Sequence, residues 1–323
     1  MSAESNIISI QRDSNRHTEK YEVDIDTLNS IDVALHRKTL TSLVKEAILA
    51  RGSFNGYIEK AESWLTSAIM SLGSVEEIKA FTDKYKNPET EFLSIKQLTT
   101  HTSEPSIIDN IIEDAFARKL FNILFLKPPS GKADSGPGET ALVFLSPDIS
   151  YELKGDVLIN NVGKIEIKAS RTPKGKGGRV WDSPINQLNM YNILKEIFPN
   201  TTDTNRFTVS VLDKKHKIIP QIIKNDPNRK FITAACNAWF NTPIDEVINS
   251  FGTPEFINIW HKHIFNTYKA KKKFVGLLAI GRTTYQYIQT GDQFAATKKA
   301  SSGYLCKILS SDFRELVPQV LVK

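Results

Sequence analysis

Gly155-Asp156-Val157-Leu158-Ile159-Asn160-Asn161-Val162-Gly163-Lys164-Ile165-Glu166-Ile167-Lys168 is the stretch around which the chain is organised. Val157, Leu158 and Ile159 form one short apolar run, and Ile165, Ile167 and Ala169 supply the apolar positions of a second. Asn160-Asn161-Val162-Gly163 between them is turn chemistry, because Asn and Gly adopt positive φ at little cost. The stretch therefore predicts two strands joined by a tight turn. Side chains alternate along a strand, so Lys164, Glu166 and Lys168 share one face and Ile165, Ile167 and Ala169 the other. The pattern predicts that the strand presents its charge at a fixed place. Pairing brings the Asp156 carboxylate near Glu166, so two carboxylates and one ammonium meet at one end of a small sheet.

Two close carboxylates repel unless a cation sits between them. Mg²⁺ takes one or two carboxylates, keeps several waters and accepts phosphate oxygens, and Mn²⁺ is expected to substitute for it. A lysine beside such an ion can orient the attacking water and stabilise developing negative charge. The chemistry this points to is metal-assisted phosphodiester hydrolysis. Glu-x-Lys alone carries little information. It recurs at Glu77-Ile78-Lys79, in a helical-looking stretch read as solvated surface, and at Glu152-Leu153-Lys154, which precedes Asp156. Only Glu166-Ile167-Lys168 follows an Asp-bearing strand through a turn, and a surface hairpin with a Lys/Glu face remains the structural alternative.

The flanks add to this. Upstream, Gly136-Pro137-Gly138-Glu139 opens an apolar run over 140–145. Downstream, Ser183-Pro184 starts a helix in which Gln187 and Tyr191 stand one turn apart on one face. The order Glu139, Asp156, Glu166-x-Lys168, Gln187-x-x-x-Tyr191 resembles the PD-(D/E)XK nuclease superfamily, with a Gln-x-x-x-Tyr element similar to that of the RecB-type branch. The likeness covers roughly residues 105 to 195, and it departs from the motif at Gly155, where proline is common. It implies an α/β fold, with a mixed sheet flanked by helices in a restriction-endonuclease-like core. It also implies that Asp156, Glu166 and the Ile167 carbonyl hold Mg²⁺ and that Lys168 positions the water. Glu139 would bind or orient a second water or metal; as a plain structural residue it would be a helix-capping glutamate. Gln187 and Tyr191 would help to hold the DNA strand.

Composition is compatible with this reading without demanding it. The 323 residues carry 42 Lys and Arg against 36 Asp and Glu, a net +6, which permits a nucleic-acid partner. A better signal is the basic loop Arg171-Thr172-Pro173-Lys174-Gly175-Lys176-Gly177-Gly178-Arg179, which leaves the Glu166 strand directly. Its Arg171, Lys174, Lys176 and Arg179 are candidate contacts to a phosphate backbone. Trp181 beyond it either stacks on a base or anchors the loop.

Residues 1–102 are read as a helical N-terminal region after a polar arm. Leu40, Leu43, Val44, Ala47 and Ile48 form one apolar face, and Ile58, Ala61, Trp64, Leu65, Ala68 and Ile69 another. These helices serve packing, a protein partner, a homo-oligomer or DNA. Residues 103–323 are read as the nuclease-like domain with a largely helical insertion at about 213–272. A helix is expected to open at Ser103-Glu104-Pro105 and run its apolar stripe from Ile107 to Phe121. Strands are expected over 149–153, running straight into the Asp156 strand, and over 207–212, 274–280, 284–289, 304–309 and 316–322. His261 and His263 lie two apart on a helix and so face apart, which disfavours a metal pair. Neither nucleophile-elbow nor zinc-ligand spacing occurs. The cysteines, Cys236 and Cys306, make no disulfide framework, and without a leader pattern or membrane-length apolar run the chain is expected in the cytoplasm. The function expected is a DNA nuclease, preferably an endonuclease of restriction-like or phage-encoded type. The alternative is a non-catalytic DNA-binding or assembly protein that reuses the fold.

Overall fold

The computed structural model describes residues 33–51, 58–126, 137–151, 157–169, 178–180, 196, 223–300, 304–305 and 319–322. A mixed six-stranded sheet forms the centre, in the order β1-β7-β6-β4-β3-β2. β2 (Ile149–Tyr151), β3 (Val157–Ile159) and β4 (Gly163–Ala169) form an antiparallel meander. β6 (Gly276–Ile280) then pairs parallel to β4, and β7 (Thr284–Ile288) turns back against β6. β1 (Ser106–Ile107) closes the edge beside β7. The central strand β4 thus has a hydrogen-bonded neighbour on each side.

The hairpin at the heart of this sheet forms for the reason its sequence suggests. Asn161 and Gly163 take φ of 59° and 118°, the left-handed values that reverse the chain between Ile159 and Gly163. Val157, Ile159 and Ile165 turn to one face and are buried. On that face lie α6 (Pro137–Leu145) and α5 (Ala115–Leu126). Gly138 lets the start of α6 lie flat on the sheet: a Cβ there would stand 2.6 Å from Ile280 Cγ2 and 3.5 Å from Ile167 Cγ2. Behind α5 and α6 pack α1 (Val33–Arg51), α2 (Ile58–Met70) and α3 (Val75–Lys86). One apolar cluster runs without a break from Leu40 on α1 through Phe121 and Phe144 to Ile167 and Tyr287. Leu43, expected on the apolar face of α1, is 36% exposed and lies outside that cluster.

The opposite face carries α9 (Phe256–Lys272) and α10 (Gly291–Ala300), preceded by α7 (Lys230–Phe240) and α8 (Asp245–Ser250). The short α4 (Ile95–Leu98) lies against β7. Lys273 adopts φ 58° at the end of α9, and the Val275 amide then bonds to the Lys164 carbonyl at 2.8 Å. This ties the end of the helix to β4.

Three expectations change. The helix expected from residue 105 begins only at Ala115. Before it come β1 and a 3₁₀ turn over Ile108–Asn110, and the Asp114 carboxylate accepts the Ala117 amide at 3.0 Å, which starts the helix there. β2 does not run straight into the next strand but pairs antiparallel with it, Ile149 opposite Ile159. The late strands divide: β6 and β7 extend the central sheet, whereas β8 (Tyr304–Leu305) and β9 (Gln319–Val322) join β5 (Gly178–Arg179) in a separate three-stranded sheet. The strand expected over 207–212 lies outside the described residues. Among the described residues no helix is long and apolar enough to cross a membrane.

Candidate active site

Glu166 and Lys168 stand on one face of β4, as alternation requires, but that face is not open. Glu166 is 4% exposed, because α9 lies over it. The expectation that this face presents its charge outward is therefore corrected: the charge is fixed in place but covered. Lys168 Nζ lies 2.5 Å from Glu166 Oε1, with 14% of the lysine side chain exposed. From α9, the Tyr268 hydroxyl donates to Glu166 Oε1 at 2.5 Å, and Lys168 Nζ donates to the Tyr268 oxygen at 3.1 Å. Carboxylate, ammonium and phenol thus close a triangle of polar tips. The Tyr268 ring, itself buried, has Lys168 Nζ at 5.3 Å and Lys272 Nζ at 5.9 Å from its centroid, within the range of cation–π attraction.

Such a triangle is not what a core selects for stability. Desolvating an ion pair costs several kcal/mol, and an apolar replacement of equal volume is often at least as stable. Ionisable side chains gathered under a covering helix occur both at functional sites and in structural ion-pair networks.

Glu139 occupies the third position of α6 and is buried at 5% exposure. Its helix begins against Ile167 and Ala169, at the end of β4 where Lys168 stands, but on the opposite face of the sheet. The structure therefore brings Glu166 and Lys168 together and starts Glu139 from the other layer. Ile167 sits between the two, with its side chain towards α6. The free amides and the dipole of the α6 start favour a carboxylate at Glu139. Arg179 stands on β5, opposite Gln319 of β9. Asp156, Arg171, Lys174, Lys176, Gln187 and Tyr191 lie outside the described residues, as do Trp181 and Glu152-Leu153-Lys154.

Among the described residues no three of His, Cys, Asp and Glu converge as a metal-holding group. The two helical histidines do face apart. His261 is fully buried near Phe294, whereas His263 Nε2 lies 2.8 Å from Glu246 Oε2 on α8. Tyr268 is the residue that sequence reasoning missed. It lies on α9 in the stripe Trp260, Ile264, Phe265, Tyr268, whose spacing reads as helix core, and it meets Glu166 across 102 positions of chain.

No family model, no curated protein and no solved structure matches this chain.

Proposed function

We propose that the protein is a Mg²⁺-dependent nuclease that hydrolyses DNA phosphodiester bonds, an endonuclease with a restriction-endonuclease-like core. The observation that carries this is the Glu166–Lys168 pair on the central strand β4, 2.5 Å apart with its carboxylate buried, in a mixed sheet with helices on both faces. Further support comes from the antiparallel register of β3 and β4, Val157 opposite Ile165. Catalysis by this site requires Asp156 to continue that register by one rung, opposite Glu166. It also requires Glu139 to reach the same end of the sheet from α6.

The donors fit a hard divalent ion, since every candidate ligand is an oxygen. Glu166 already faces a cation in Lys168, so its environment accepts positive charge. Asp156, Glu166 and the Ile167 carbonyl would hold the ion, with Glu139 acting through water. When bound, Mg²⁺ supplies Lewis-acid polarisation of the phosphodiester and acidifies water in its shell. Lys168 holds the attacking water in line and offsets charge growing on the phosphoryl oxygens. The new P–O bond forms from that water as the ester P–O bond breaks, and the leaving oxygen takes up a proton. Arg171, Lys174, Lys176 and Arg179 follow directly on β4 in sequence and would neutralise the backbone phosphates. Gln187 and Tyr191 would hold the strand.

The test is cleavage of linear, circular, branched and single-stranded DNA with Mg²⁺, Mn²⁺ or EDTA. Wild-type protein should cut only with metal. D156N and E166Q should each lose at least about a thousandfold while still binding DNA. Full activity in D156N overturns the assignment. One observation favours the rival of a non-catalytic DNA-binding protein: Lys168 and Tyr268 already occupy Glu166 Oε1. That rival gives metal-independent DNA binding and no cleavage of any substrate.

A further inference from the structure

We infer that Tyr268 is a positioning residue of this site, holding Glu166 and Lys168 in the arrangement that receives the divalent cation; the inference rests on the nuclease reading above. A buried tyrosine hydroxyl needs a partner, and a nearby carbonyl would serve. This one takes ionisable side chains instead. Its proton goes to Glu166 Oε1 at 2.5 Å, and its oxygen accepts from Lys168 Nζ at 3.1 Å. An ion pair between a carboxylate and a flexible ammonium is weakly directional. The phenol adds direction, because donor and acceptor sit on one atom at the end of a rigid ring.

The ring itself is held. It packs edge-on against Phe274 with centroids 5.5 Å apart and is 1% exposed. Its helix is anchored to the catalytic strand where the Val275 amide bonds to the Lys164 carbonyl at 2.8 Å, two residues before Glu166. A bond made three residues beyond α9 therefore fixes the end of that helix over β4, and Tyr268 sets the carboxylate. Partners that orient a ligating carboxylate are worth about 10- to 100-fold in metal affinity.

The experiment measures Mn²⁺ binding by calorimetry on the full chain at 10 °C, for wild type, Y268F, E166Q and W260F. Y268F removes one oxygen and keeps the ring. W260F thins the packing of α9 against Trp239 and Phe240, about two turns before Tyr268, so it controls for lost stability. Mn²⁺ should bind Y268F about tenfold more weakly than wild type, W260F as wild type, and E166Q not measurably. Equal affinity in Y268F and wild type overturns the inference and leaves the metal site standing. So does an equal loss in W260F, since looser packing of α9 alone would then explain it. Wild-type protein that takes up no Mn²⁺ sinks the metal site itself, and this role of Tyr268 with it.

Discussion

Two cations on opposite sides of the central sheet, Arg51 buried and Lys168 half-buried, have been given opposite surroundings. On the N-terminal side, the Arg51 guanidinium, at the end of α1, donates to the carbonyls of Tyr85, Thr90 and Leu145 at 3.1, 2.9 and 3.3 Å. Its Cζ lies 4.5 Å from the Tyr85 ring centroid and 5.3 Å from that of Phe92. Tyr85 and Leu145 stand in the last turns of α3 and α6, where helix carbonyls lack partners and the dipole is negative. Burial pulls the guanidinium below its usual pKa, opposed by Tyr85, and burial pushes the Tyr85 phenol up, opposed by Arg51. On the other side, Lys168 faces a carboxylate and a phenol. A cation that answers backbone carbonyls fastens elements together. A cation that answers ionisable side chains adds little to the fold, because desolvation offsets the attraction.

The comparison breaks if the two sites respond alike to removal. Replacing the whole polar triangle, as E166L/K168M/Y268F, should remove cleavage by at least about a thousandfold. The same change should leave the unfolding free energy within about 1 kcal/mol of wild type, or raise it. K168M alone should be less stable than the triple variant, because it strands a buried carboxylate. Urea denaturation beside a cleavage assay reads both quantities, and a triple variant that unfolds at markedly lower urea would assign the triangle to the fold. R51M should do the reverse. It leaves carbonyls at two helix ends without their charged donor and should cost about 3 kcal/mol, seen as a lower urea midpoint. Mg²⁺-dependent cleavage below the unfolding transition should not change.

The two sides also differed in how much the sequence disclosed. The β3–β4 hairpin was legible because its determinants are local: Asn161 and Gly163 take the positive φ their residue types favour, and period-two alternation put Glu166 and Lys168 on one face. Glu77-Ile78-Lys79 was legible as surface for a similar reason, since Glu77 closes a capping box with Ser74 at the start of α3. Ile107, Ile108, Ile111 and Ile112 misled. Their spacing continues the helical stripe of α5, yet Ile107 is exposed on an edge strand and the other three are buried from the turn that follows it, and Asp114 was the cue that the helix starts later. Tyr268 could not be found at all. Nothing local distinguishes it from the aromatic core of α9, and its partner lies 102 positions away. The covering of Glu166 is lost to sequence reading for the same reason: the strand's own pattern cannot say which helix returns to lie on it.

A third cation sharpens the contrast at its weakest end. Lys84 on α3 lies 2.9 Å from Asp114 at the start of α5, with 58% and 19% of the two side chains exposed. Burial would raise the Asp114 carboxyl, but bonds from Lys84, Ala117 and Phe116 outweigh it and hold the group below the usual carboxylate range. A carboxyl whose folded pKa is depressed contributes stability above its unfolded pKa of about 3.9, and the contribution is lost as pH falls through the folded value. D114N keeps an acceptor for the Ala117 amide, since Asn caps a helix about as well as Asp, so it isolates the charge. It should cost less than about 1 kcal/mol at pH 7, because solvent screens so exposed a lysine. The deficit should shrink in 0.5 M salt and close as the pH falls through the folded value of Asp114. Urea midpoints of wild type and D114N across that range check it. A deficit that persists in acid and in salt would make Asp114 a cap whose charge is immaterial.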